Sequence, residues 1–177
     1  MKAEFEKPDP VTGLYLKCLE AITSMTHVRY TTTHQLVSEA AGCHEARCYV
    51  AASVICRDAL EATLYEAFAW KMKDGKMFLD SRLKYCTPNL ERLIEWAKDA
   101  SLLTDDQAKI AHKIQHEGNF GAHLKQKIDR EYFEGKAPDK PYRLWINPQE
   151  SWGLLNETVE LVIALVKKAL EIESGKE

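Results

Sequence analysis

The sequence predicts an all-α fold: a single-domain, up-and-down helical bundle with a long loop or insertion before the last helix. Three observations carry this. Apolar residues recur at helical spacing through most of the 177 residues. Capping residues stand in front of those periodic runs. No segment alternates apolar and polar residues for long enough to make a strand of any length. A chain of this length can bury one core without disulfide or metal staples.

The elements follow in order. After Pro10, the run "GLYLKCLEAITSM" (13–25) has helical spacing. "TTTHQLVSEAAG" comes next, with Thr32 and Gln35 spaced as a capping box and Gly42 as the stop. The longest helix is expected over 43–72, because no proline or glycine interrupts the chain after Gly42. Small and apolar residues cover much of its circumference, the pattern of a helix central to a bundle. Residues 73–86 read as a connection with a turn at Asp74–Gly75. Thr87 then reads as a cap with Pro88 in the first helical position, opening "NLERLIEWAKDASLL". Thr104 and Gln107 form a second capping box, with Asp105 and Asp106 at the positive end of the helix dipole. From 124 to 146 the helical pattern fades, with Pro138, Pro141 and a short hairpin expected at "YRLWI". Asn147, Pro148 and Glu150 announce the last helix, which runs to the end of the chain. This divides one structural domain into N-terminal helices over 1–42, packed on a core over 43–177.

Bulk composition excludes some functions. The formal net charge is -3, without the basic excess of a typical duplex-DNA binder. The five cysteines form no CxxC pair, so reduced thiols in a cytoplasmic protein are expected. The charged start "MKAEFEKPDP" lacks the apolar core of a secretory signal, and the longest apolar run, "LVIALV", is far too short for a membrane span. The four tryptophans, Trp70, Trp96, Trp145 and Trp152, read as core or interface rather than stacking platforms.

Chemistry concentrates in "HKIQHEGNFGAH", residues 112–123, which holds three of the six histidines. At about 100° per residue, His116, Asn119 and His123 lie at about 40°, -20° and 20° from His112. A continuous helix would line all four along one stripe. Gly118 and Gly121 threaten that continuity. Three readings stay open. The histidines can be solvated or core-bonded residues at a glycine-capped helix end. His112 and His116, spaced i and i+4, can share a metal, although "HKIQH" lacks the glutamate base of an HExxH helix. Or the stripe is a metal-free polar site, with histidine as acid or base and asparagine orienting the substrate. Arg57 also has two readings: an i, i+4 ion pair with Glu61, or a cation reaching toward Asn119 and His123.

"GNFGAH", Gly118 to His123, resembles the GNxxAH signature of the HEPN superfamily (higher eukaryotes and prokaryotes nucleotide-binding). The nearest likeness is to the branch catalogued as domain of unknown function 4145. "CYVAASVICRDALEATL" (48–64) is similar to that branch's long helix, and "LERLIEWAKDASLLTDDQAKIAHKI" and "NPQESW" follow in the same order. The resemblance covers roughly 40–172. It implies a HEPN-like bundle, often a homodimer with two signatures facing each other. It implies engagement of RNA or nucleotide in prokaryotic defence or stress, and metal-independent endoribonuclease chemistry with no cofactor. Its implied site residues are His123 and Asn119, with His116 and Arg57 as auxiliary candidates. The active nucleases of the superfamily have an arginine four to six residues before the histidine. Here Gly118 precedes Asn119 and Gln115 and His116 stand upstream, so the standard arginine is missing. The other outcomes are a non-catalytic dimerisation or protein-interaction module, with "GNFGAH" as a packing motif, and a metal-dependent hydrolase built on His112 and His116.

Overall fold

A computed structural model describes residues 10, 13–14, 16–17, 20, 30–69, 71–73, 76–78, 83, 88–133 and 146–174, with the backbone alone for 71–73, 76–78 and 120–133. The architecture is an all-α bundle. Its elements are α1 (Thr31–Glu45), α2 (Tyr49–Ala69), a two-stranded antiparallel ribbon of β1 (Lys71–Lys73) and β2 (Lys76–Phe78), α3 (Leu90–Asp99), α4 (Asp105–Phe133) and α5 (Pro148–Glu173). The ribbon pairs Lys71 with Phe78 and Lys73 with Lys76. The Asp74–Gly75 turn read from the sequence lies outside the described residues. Three-residue strands are too short to show a period, which is why they escaped that reading.

Helix α2 is the hub, packing against α1, α3, α4 and α5. It is apolar nearly all round, as a central helix must be. Ala52, Cys56, Ala59, Leu60, Leu64 and Phe68 are buried along it. Leu155, Val159, Val162 and Val166 of α5 meet them in one core cluster, joined by Leu93 and Ile94 of α3 and Ile114 of α4. Leu14 is buried in the same cluster, and Lys17 pairs with Glu160 of α5. These two contacts tie the N-terminal segment to the bundle. Two buried threonine hydroxyls find partners within it. Thr63 donates to the Ala59 carbonyl at 2.7 Å, and Thr158 to that of Leu154 at 2.7 Å.

The boundaries differ from the expected ones in four places. The helix expected over 43–72 is two helices. Gly42 lies inside α1, and the break falls at Ala46–Cys48, where Arg47 takes φ 60°. The Cys48 amide donates to the Cys43 carbonyl at 2.8 Å and the Arg47 amide to that of His44 at 3.0 Å. That pair of bonds is a Schellman stop, with arginine where glycine is usual. Asn89, not Thr87, caps α3; its side chain accepts from the Arg92 amide at 2.9 Å. Gln35 makes no box with Thr32. It donates to Glu39, and the α1 N-terminus is capped from α2 by Glu66. Finally, α4 continues to Phe133, so the fading pattern after 124 does not end the helix. The "YRLWI" hairpin, Trp70 and Trp145 lie outside the described residues.

Two boxes stand as expected. Thr104 and Gln107 bond reciprocally at 2.9 and 3.2 Å. Asn147 and Glu150 do the same, with Pro148 opening α5.

Candidate functional site

The stripe depends on α4, and α4 is continuous. Its 29 residues run from Asp105 to Phe133 through both Gly118 and Gly121. A glycine inside a helix costs about 1 kcal/mol relative to alanine, so each needs another reason to be there. For Gly118 the reason is contact. A Cβ at this position would lie 2.3 Å from the Arg57 Cβ, 3.0 Å from the Ser53 carbonyl oxygen and 3.1 Å from the Arg57 Cδ. Helices α2 and α4 therefore cross backbone to side chain at Gly118. No residue with a Cβ fits immediately before Asn119 without moving α2.

Continuity places His112, His116, Asn119 and His123 on one helical face, within about 60° of arc. Their surroundings differ. His112 is half-buried; its Nε2 meets Glu95 of α3 at 3.1 Å and its Nδ1 meets Gln115 at 3.2 Å. His116 points outward, its side chain 80% exposed, with Glu117 at 3.9 Å. Asn119 is half-buried. His123 is placed by its backbone within α4.

Arg57 packs its stem over Gly118. Its guanidinium ends between two carboxylates of its own helix, Asp58 at 2.6 Å from Nη1 and Glu61 at 3.0 Å from Nη2. The i, i+4 ion pair read from the sequence is thus present, and Asp58 joins it. The Arg57 Nε is buried, with no hydrogen-bond partner among the described residues. Arg57 touches Gly118, the residue before Asn119, and its charge faces Asp58 and Glu61 rather than Asn119. Asn119 lies about 100° round α4 from Gly118, so Arg57 flanks the stripe rather than sitting on it.

For a metal, His112 and His116 would need a third donor. Among the described residues no three histidine, cysteine or acidic side chains converge. The nearby acid Glu95 meets His112. Glu95 was not singled out in the sequence; it lies 17 residues away, and no local spacing points to it.

Among the described residues, two clefts border the helices. One of about 610 Å³ lies between α4 and the start of α5, with Lys113, Glu117, Asn147 and Glu150 among its walls. Lys113 is not free there, because both Glu157 oxygens hold it at 2.7 Å. The other, about 660 Å³, follows α3 and carries Glu91, Arg92, Glu95 and Trp96. Neither is lined by Asn119 or Arg57.

A protein-family model described as "Domain of unknown function (DUF4145)" matches residues 38–135. The chain belongs to this family. The matched stretch begins inside α1, takes in α2 and α3, and ends just past α4, so the Gly118–Arg57 crossing and the histidine stripe both lie within it. No curated protein and no solved structure matches the chain. Among the described residues, no helix is long and apolar enough to cross a membrane.

Proposed function

We propose that this DUF4145 domain is a HEPN-like module that engages RNA, or a nucleotide, through the Asn119–His123 face of α4. One observation supports this above the others: α4 runs unbroken past Gly118 and Gly121, which keeps Asn119 and His123 on one face. A broken helix would have scattered them. The imidazole of His123 is suited to proton transfer near neutral pH. In RNA cleavage it would take the proton of a 2′-hydroxyl as that oxygen attacks the adjacent phosphorus, or return a proton to the departing 5′-oxygen. Asn119, one turn earlier, would orient the phosphate or the sugar. His116, exposed beside them, offers a second imidazole. The reading extends to a cytoplasmic homodimer with two such faces opposed, acting in prokaryotic defence or stress.

The test is incubation of the protein with a mixed single-stranded RNA pool in excess EDTA, beside His123→Ala and Asn119→Ala. Cleavage by wild type that both variants lose supports metal-independent nuclease chemistry. Binding without cleavage, lost in the same variants, supports an RNA-engaging module that is not an enzyme. Neither binding nor cleavage by wild type overturns the proposal.

One observation favours the non-catalytic interaction module as the second reading. The first glycine of "GNFGAH" is used for close helix packing, as a packing motif would be. The partner it packs on is α2 of the same chain, however, so that packing stabilises the fold rather than an interface.

A further inference from the structure

Helix α1 ends and α2 begins at one corner, and a cysteine stands on each side of it. The Cys48 amide donates to the Cys43 carbonyl at 2.8 Å and the Arg47 amide to that of His44 at 3.0 Å, with Arg47 at φ 60°. Cys43 and Cys48 are therefore the outer residues of the Schellman stop, the two positions whose side chains commonly touch across such a turn. Covalent geometry limits their span. With the amide nitrogen 2.8 Å from the carbonyl oxygen, the two Cα atoms are no more than about 6.7 Å apart. Disulfides bridge Cα separations of about 4.4–6.8 Å. The Cys48 thiol turns back over the corner, 3.7 Å from the Ala46 carbonyl oxygen. Both thiols are free, Cys48 exposed and Cys43 half-buried, so a small solute reaches the pair.

Independently of the RNA-engaging face, we infer that Cys43 and Cys48 are a redox pair that closes a reversible disulfide over the α1–α2 corner on exposure to a hydroperoxide. Cys48, the more exposed, reacts first. Its thiol gives its proton to water and the thiolate attacks one peroxide oxygen. The S–O bond forms, the O–O bond breaks, and the other oxygen leaves with a proton as alcohol, or as water from hydrogen peroxide. The Cys43 thiolate then attacks the sulfenic sulfur of Cys48. The S–S bond forms, the S–O bond breaks, and hydroxide leaves and takes the Cys43 proton as water. Two electrons have passed from the two thiols to the peroxide, and a dithiol reductant returns them. Cys56 also neighbours Cys43, but burial pushes its thiol up to about 12, so it supplies almost no thiolate near neutral pH.

Arg47 makes the bond easy to read. Trypsin cuts after Arg29, Arg47 and Arg57, which puts Cys43 on peptide 30–47 and both Cys48 and Cys56 on peptide 48–57. The full chain is treated with hydrogen peroxide, remaining thiols are capped with maleimide in acidic urea, and the peptides are mapped by mass spectrometry. The two peptides are expected to be joined within a chain of monomer size on a non-reducing gel, and separated by dithiothreitol. The linked pair should be lost in Cys48→Ser and kept in Cys56→Ala. In the Cys56→Ala chain, oxidation in urea should yield about fivefold less of it, because the unfolded chain lacks the corner that holds the thiols together. The wild-type map is decisive even if a variant is unstable, since fragmentation of the linked peptides locates the bond. A link that survives Cys48→Ser would assign the bond to Cys56 and overturn the inference. So would a cross-linked dimer, an equal yield in urea, or a Cys48 that stays reduced or passes to sulfinic acid while Cys43 remains open to maleimide.

Discussion

At the scale of single residues, Gly118 decides the most. Alanine usually stabilises a helix interior by about 1 kcal/mol over glycine. Here its Cβ would meet the Arg57 Cβ at 2.3 Å and the Ser53 carbonyl at 3.0 Å. Neither atom can move by changing a rotamer, so α2 and α4 must separate. Overpacking of this kind costs about 1–3 kcal/mol. Gly118→Ala is therefore expected to lower stability in urea denaturation, against its helix propensity. Adding Arg57→Ala should not rescue it, because alanine keeps the offending Cβ. Rescue by that second substitution would mean the strain lies in the arginine stem, not in the backbone crossing. Arg47 makes the opposite case. It holds φ 60° at the end of α1, a conformation glycine adopts without steric cost. Arg47→Gly is expected to raise stability by roughly 0.5–1 kcal/mol, read as a higher urea midpoint.

At the scale of elements, what could be read from the sequence was what is local. Thr104 with Gln107, and Asn147 with Pro148 and Glu150, announce their helices because the cap and its partner sit three residues apart. The α1 stop was misread for the converse reason. Gly42 looked like a terminator, but the Schellman stop falls five residues on, at Arg47. The α3 C-terminus repeats this with Ser101, at φ 56°. The α1 cap was not legible at all, because its acceptor lies on another helix. Glu66 of α2 accepts from the Thr32 and Thr33 amides at 3.2 and 3.4 Å and from the Thr33 hydroxyl at 2.7 Å. Thr33 and Thr63 meet beneath it at 3.1 Å. Bonds to a charged acceptor contribute about 1.5–3 kcal/mol, so Glu66→Ala should destabilise the fold by about that amount. Hydrogen exchange should accelerate first at the α1 N-terminus. Uniform acceleration across the bundle would show that Glu66 does not act as a cap. The site was legible to the same degree: the stripe followed from spacing along one helix, whereas Gly118 against Arg57 and His112 against Glu95 are contacts between helices.

At the scale of the whole molecule, the core carries a titratable group that reports on global unfolding. Cys56 is fully buried at the centre of α2, in the cluster shared with α5. Burial raises its thiol pKa from 9.0 to about 12; a hydrogen bond with Thr158 opposes this, and the neighbouring Cys43 adds slightly to it. A folded pKa above the unfolded one means the unfolded chain loses this proton first as pH rises. The core is thus unaffected by Cys56 below about pH 9, and stability is lost progressively from there toward pH 12. At pH 10 the cost from this one thiol is on the order of 1 kcal/mol relative to pH 7. Lysines and tyrosines also titrate in alkali, so the comparison needs a matched variant. Cys56→Ala lowers stability at pH 7 by leaving a small cavity, but it removes the thiol's linkage. Its gap to wild type should therefore narrow by on the order of 1 kcal/mol between pH 7 and pH 10 in urea denaturation. A constant gap would mean that Cys56 ionises in the folded state, with water reaching the α2–α5 core. Thiol labelling gives the independent check. At pH 8 the exposed Cys48 should react with a maleimide in the folded protein, while Cys56 should stay unlabelled until urea unfolds the bundle.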